Sequence, residues 1–195
     1  MRTLALIALP LVLLTQTGCG LLLGKVKPVD EKSDYYGVMD LSKEKPAEWS
    51  KLDPAQIANG AERDKDTTSS EVSDAVYQNK KTASTISINS ACRPPGYVEK
   101  QDLRSVTNLL FLGLSDVTLR TERELPIQLN PALETTIRGK LAIAPGSRSK
   151  EEVMLRTVVL KKEGCVYDLV YLAPPQFFEA NLNDFTQFVA SLRLK

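Results

Sequence analysis

Apolar and polar positions follow several different rhythms along this chain, and each rhythm predicts a different kind of element. Residues 4–14 are apolar throughout, with Pro10 inside the run and the polar Thr15 and Gln16 closing it. Residues 24–46 carry Lys, Asp, Glu and two prolines and show no repeating apolar face. Trp49 and Leu52 open a first short strand. Residues 60–74 are almost free of apolar side chains, cannot bury a core face, and read as an exposed loop.

Beyond position 74 the spacing becomes that of a folded domain. Residues 76–78 and 83–89 predict the arms of a hairpin turned at Asn79, Lys80 and Lys81, because Ile86 and Ile88 alternate with Thr85 and Ser87. Arg93-Pro94-Pro95-Gly96 then breaks the chain. A helix is predicted over 98–112, with Leu103, Val106, Leu109 and Leu110 forming its buried face at three-and-four spacing. Val117 and Leu119 begin another strand, and Thr135, Ile137, Gly139, Leu141 and Ile143 trace one more with period two.

The clearest hairpin joins 152–161 to 165–172 through Lys162-Glu163-Gly164. Its arms are apolar on both faces at Val158-Val159-Leu160 and Leu169-Val170, which implies strands covered from both sides. A last helix starts at Pro174-Pro175, where proline loses no needed donor. Its stripe is Phe178, Leu182, Phe185, Val189 and Leu192, wide enough to cover a sheet. A partner-binding amphipathic helix is the competing reading of that stripe, but the neighbouring strands need a cover. The whole predicts one α+β domain over 47–195, a mainly antiparallel sheet covered by helices.

The apolar run at the start is a leader. Arg2 precedes it, and Thr17-Gly18-Cys19-Gly20 follows as a small-residue cleavage site, so 1–18 read as a signal peptide and Cys19 as the first mature residue and point of lipid attachment. A spanning helix would need about 20 apolar residues. An ordinary secretory cut after Gly18 would want a small residue where Gln16 stands. The bacterial lipobox that this site resembles has Leu at that place, and Gln16 departs from it. Several acyl chains on Cys19 would anchor the protein stably, each buried methylene contributing ~0.8 kcal/mol. Residues 19–46 then serve as lipidated N-terminus and tether, spanning about 25–30 Å as a coil. Within it, Tyr35-Tyr36 reads either as a docking element or as a pair that packs back on the domain. Gly20 lacks the Asp that keeps similar lipoproteins at the inner membrane, so the expected place is the periplasmic face of the outer membrane.

Charge changes the picture by exclusion. The chain has 25 Lys and Arg, 24 Asp and Glu and no histidine. Removing the leader takes away only Arg2, and a near-neutral mature protein is not expected to bind nucleic acid. Without histidine there is no Ser-His-Asp or Cys-His centre, and the commonest zinc ligand is missing, so no catalytic residue, metal or cofactor is expected. With Cys19 taken by lipid, Cys92 and Cys165 remain as a pair in an oxidising compartment, where a disulfide is the expected state. A redox-active pair would lie closer in sequence.

Ser90-Ala91-Cys92, the run Gly164-Cys165-Val166-Tyr167-Asp168-Leu169-Val170-Tyr171, Ala173-Pro174-Pro175 and the closing Phe185-x-x-Phe188-x-x-Ser191 resemble a group of uncharacterised Gram-negative lipoproteins. The order of elements and the Phe-to-Ser ending are similar to the PsbP-like fold, an alpha/beta/alpha sandwich. That resemblance implies binding to larger partners without catalysis, since a fold does not by itself specify an activity. No functional residue of that fold transfers to this chain.

The remaining candidates are few. Glu122 with Glu124, and Glu151 with Glu152, are carboxylate pairs by type only, because glycoside hydrolysis needs two acids facing across a cleft. Asp168 lies between Val166 and Val170 on an otherwise apolar strand, so it is either an acid with a raised pKa in a pocket, a partner of Arg138 or Arg156, or exposed at the sheet edge. The loop carrying Arg93 and Tyr97 is the candidate binding surface, or a turn held by the neighbouring disulfide. The expected function is a non-catalytic envelope adaptor that binds another protein. An apolar-ligand or lipid-binding module with a crevice between sheet and helix is the alternative.

Overall fold

The computed structural model describes residues 36–53, 74–92, 100–142 and 149–195. In chain order the elements are β1 (Tyr36–Gly37), α1 (Leu41–Glu44), β2 (Trp49–Leu52), β3 (Ala75–Asn79), β4 (Thr85–Cys92), α2 (Leu103–Leu109), β5 (Leu114–Ile127), β6 (Asn130–Ala142), β7 (Lys150–Lys162), β8 (Cys165–Ala173), a 3-10 turn (Pro175–Phe177), α3 (Phe178–Ser191) and β9 (Arg193–Leu194). Seven strands form one sheet in the order β2-β3-β4-β8-β7-β6-β5, and β1 pairs with β9 beside it. Every pairing is antiparallel. This is the α+β architecture expected of the sequence, with helices on both faces of the sheet.

The β7–β8 hairpin turns where its sequence demands. Lys162 pairs with Cys165, leaving Glu163 and Gly164 as a two-residue turn with φ of 50° and 78°. Left-handed backbone at both central positions matches the twist of the flanking strands. The β5–β6 hairpin also uses a two-residue turn, at Gln128 and Leu129 with φ of 49° and 67°. No glycine marks that turn in the sequence.

The first sheet face is sealed by α3 and the N-terminal segment. Ile86, Ile88, Val158, Leu160, Leu169 and Tyr171 meet Phe178, Phe185 and Phe188 there, together with Leu41 and Trp49. Rings of Tyr171 and Phe185 stack at 5.7 Å, and Tyr77 meets Phe188 edge-on at 5.8 Å. The opposite face is covered by α2 and the turn after it, through Leu103, Val106, Leu110 and Phe111 over Val159, Ile137 and Leu155.

Three expectations are corrected here. The stretch 36–46, read as tether, belongs to the folded unit: Tyr36 pairs with Leu194, and Leu41 is fully buried in the core. An apolar residue on a short helix capped by Asp40 suffices to dock it, although no long periodicity announces it. The helix expected over 98–112 is shorter within the described residues, because the Asp102 carboxylate caps it by accepting from the Ser105 N–H at 3.1 Å. Its last residues tighten into three-residue spacing, with bonds from Leu110 to Thr107 and from Phe111 to Asn108. That change of pitch turns Leu109 outward and Phe111 inward, against the expected stripe. On α3 the buried face is displaced toward Asn181, Asp184 and Phe188, and Leu182 and Val189 are only partly buried.

Candidate functional site

A crevice lies between sheet and helix on the described surface, and its two walls come from different parts of the chain. One wall is the end of the β5–β6 hairpin, with Leu125 and Ile127. The other is the C-terminal half of α3, with Phe185, Val189 and Leu192. The crevice encloses about 370 Å³.

Specific bonds tie its two walls together. The Gln128 amide donates to the Leu192 carbonyl at 2.5 Å, and the Leu194 N–H donates back to Gln128 Oε1 at 3.0 Å. The tip of the hairpin is thereby clipped to the end of the helix. Arg193 Nη1 donates to the carbonyls of Ala190 and Leu192, each at 2.9 Å, and so satisfies the helix C-terminus.

The polar side of the crevice is a row of charges set by strand register. Arg123 lies directly across from Glu134, and Arg156 approaches the same carboxylate from the next strand. Their Nη2 atoms donate to Glu134 at 3.0 and 2.8 Å. With Arg193, three guanidinium groups line the crevice against one carboxylate. A charged row beside apolar walls suits a ligand that is apolar over most of its length and charged at one end.

Two other carboxylates lie on the α3 side, Asp184 buried and Asp74 half-buried, and both act as locks. Asp184 accepts from Lys45 Nζ at 2.5 Å and from Trp49 Nε1 at 2.8 Å, joining α3 to the segment before β2. The hydrogen bond to Asp184 raises the Lys45 ammonium above its ordinary range. Asp74 accepts from the Tyr36 hydroxyl at 2.9 Å and from Ser90 at 2.6 Å. Burial raises its carboxyl pKa, and the two hydroxyl donors offset part of that. The Tyr171 hydroxyl, which donates to the Phe178 carbonyl at 2.8 Å, is pushed up to about 12 by burial.

The candidates read from sequence separate as follows. Cys92 and Cys165 are paired across β4 and β8 with Cα atoms 4.0 Å apart, and they form a disulfide. Asp168 is buried on the α2 side, where Asn89 Nδ2 donates to it at 3.3 Å. Register decides against the arginines proposed for it. Strand alternation places Arg138 and Arg156 on the opposite face, where they pair with Glu152 and Glu134. Asp168 is also not exposed at an edge, since β8 lies inside the sheet. Of the acids picked by type, Glu122 is held below the ordinary carboxylate range by Arg104 and Arg120, and Glu152 by Arg138. Cys19, Arg93 and Tyr97 lie outside the described residues.

Sequence reasoning offered a crevice between sheet and helix as an alternative but gave neither its place nor its lining. Leu125, Ile127 and Val189 carry the apolar signal, but nothing in the spacing brings a hairpin tip to a helix end more than fifty positions away.

No family model matches this sequence, and no curated protein matches it. Among solved structures, the chain is similar to CyanoP, the cyanobacterial PsbP of Synechocystis sp., at 11% identity and a TM-score of 0.47, covering 83% of this chain and 93% of that one. It is also similar to PA94 of Pseudomonas aeruginosa, a protein of unknown function described as a putative regulator, at 13% identity and a TM-score of 0.45, over 60% of this chain and 78% of that one. A protein from Bacteroides thetaiotaomicron matches at 8% identity and a TM-score of 0.47, over 83% of this chain and 45% of the other. Identities and scores of this size leave the α+β class resting on the strand pairing itself.

Proposed function

We propose that this chain is an outer-membrane lipoprotein, anchored at Cys19 on the periplasmic face, whose PsbP-like domain is a non-catalytic adaptor for another envelope protein. The observation that supports the adaptor reading is an apolar group left in the open at the end of α2. Leu109, the last residue of α2, is 59% exposed, Leu112 in the turn after it 80%, and Val117 on β5, the outer edge of the sheet, 50%. Next to them Arg104, Arg120 and Glu122 form a charged network on the same strand and helix. An apolar centre with a polar rim is the anatomy of a protein interface.

The test is photocrosslinking in cells from Leu112 and, separately, from Tyr97, with membranes separated by density. A discrete protein adduct in the outer-membrane fraction from either position supports the reading and identifies the partner. Correctly placed protein with no protein adduct from either position overturns it. A second reading, an envelope protein that binds an apolar ligand or lipid, is favoured by the crevice between α3 and the β5–β6 hairpin.

A further inference from the structure

We propose that the crevice between α3 and the tip of the β5–β6 hairpin binds a single acyl chain carrying an anionic head group. This rests on the second reading above and names its ligand class.

Size sets the number of chains. At about 370 Å³ the crevice lies near the lower limit of ligand pockets, which run from roughly 300 to 1,000 Å³, so it has room for one chain and not for a two-chain lipid. Leu125, Ile127 and Val189, each partly exposed, supply walls on which methylene groups replace water, over the buried Phe185 and Leu192.

Charge sets the head group. Arg123 and Arg156 each give one nitrogen to Glu134, and Arg193 gives one to backbone carbonyls. A guanidinium has five N–H donors in a planar fork, so each of the three keeps donors for a carboxylate or phosphate. Three positive groups against one negative also leave a positive local field at the crevice. An uncharged or cationic head would leave it unanswered.

Position supports access. β1 pairs with β9, so Tyr36 lies opposite Leu194, whose N–H donates to Gln128 in the lining of the crevice. Residues 19–35 span at most ~60 Å fully extended. A lipid on Cys19 would thus keep the crevice within reach of a bilayer, where single-chain anionic amphiphiles partition.

The test uses the full chain, purified from membranes into phosphatidylcholine nanodiscs and exposed to two photoreactive probes of equal length, a fatty acid and the corresponding alcohol. Adducts are located by peptide mass. The expected result is labelling of α3 and β5 by the acid about tenfold above the alcohol, the factor that one charge-assisted hydrogen bond supplies. Arg123→Gln with Arg193→Gln should bring the acid down to the level of the alcohol, while Arg156 still answers Glu134. Val189→Trp, which fills the space, should abolish both, with circular dichroism confirming that each variant is folded. Competition by free palmitate or by lysophosphatidylglycerol then separates a fatty acid from a lipid head group as the source. Equal labelling by acid and alcohol overturns the anionic-head assignment and leaves the apolar-ligand reading standing. Absence of crevice adducts from both probes overturns both.

Discussion

The two faces of the sheet are covered by the same chemistry to very different depth. On the α3 face, a 14-residue helix lays three phenylalanines on tyrosine and isoleucine, and its polar buried residues are all bonded. Asn181 donates to Thr82 at 3.0 Å and to Ser84 at 3.3 Å, and it accepts from Asn79 at 3.1 Å. On the α2 face the helix has 7 residues, and leucines beside it remain exposed. Thr135 and Thr157, opposite each other on β6 and β7, bury hydroxyls that find no partner among the described residues. One face is therefore closed by broad aromatic contact, and the other is covered over a shorter span with leucines left exposed.

The comparison breaks most directly at the aromatic contacts. Phe185→Ala should cost about 3–5 kcal/mol, because the ring is stacked and the helix cannot collapse into the space. Val106→Ala on α2, partly buried, should cost only about 1 kcal/mol. Urea denaturation of both variants measures the gap, and equal losses would mean that the two faces contribute alike.

A smaller effect, opposite in sign, is expected at Thr157. Thr157→Val keeps the shape and removes an unanswered hydroxyl, so it should stabilise the protein by about 1 kcal/mol. A destabilised variant in the same denaturation assay would show that the hydroxyl has a partner.

The smallest effect concerns Asp74, which ties β1 to the α3 face through Tyr36. Its folded pKa is raised, mainly by burial, so its ionised form is penalised in the folded state. The stability that this group contributes is gained as pH falls through the folded pKa. It is fully present below the ordinary aspartate value of 3.8 and lost as pH rises. Asp74→Asn retains an acceptor for Tyr36 and Ser90, so its stability relative to the unsubstituted protein should improve as pH rises from the ordinary aspartate value of 3.8 through the raised folded pKa. Thermal melts across that range measure it, and a difference that does not change with pH would place the titration elsewhere.

Much of the scaffold was legible before any coordinates. The Glu163-Gly164 turn, the doubly apolar arms around it and the phenylalanine repeat of α3 are local signals, and each survives because strand and helix periods act over a few residues. The Gln128-Leu129 turn was not legible. Neither residue favours left-handed backbone, and the turn is held there by the bonds of Gln128 to Leu192 and Leu194. The displaced face of α3 was missed for a related reason: Asn181 and Asp184 look like solvent residues until Asn79, Lys45 and Trp49 arrive to bond them.

By itself, the sequence determined the α+β class, the alternation that makes each strand, and the two cysteines available for a bond. Those follow from spacing and composition, which are properties of neighbours in the chain. Only the tertiary structure decided that Asp168 and Arg156 fall on opposite faces, that residues 36–46 belong to the fold, and that Arg123 and Arg156 meet on Glu134 beside an apolar crevice that Arg193 also lines. Each of those depends on register or on contacts between distant segments, where a shift of one residue reverses which side chains meet.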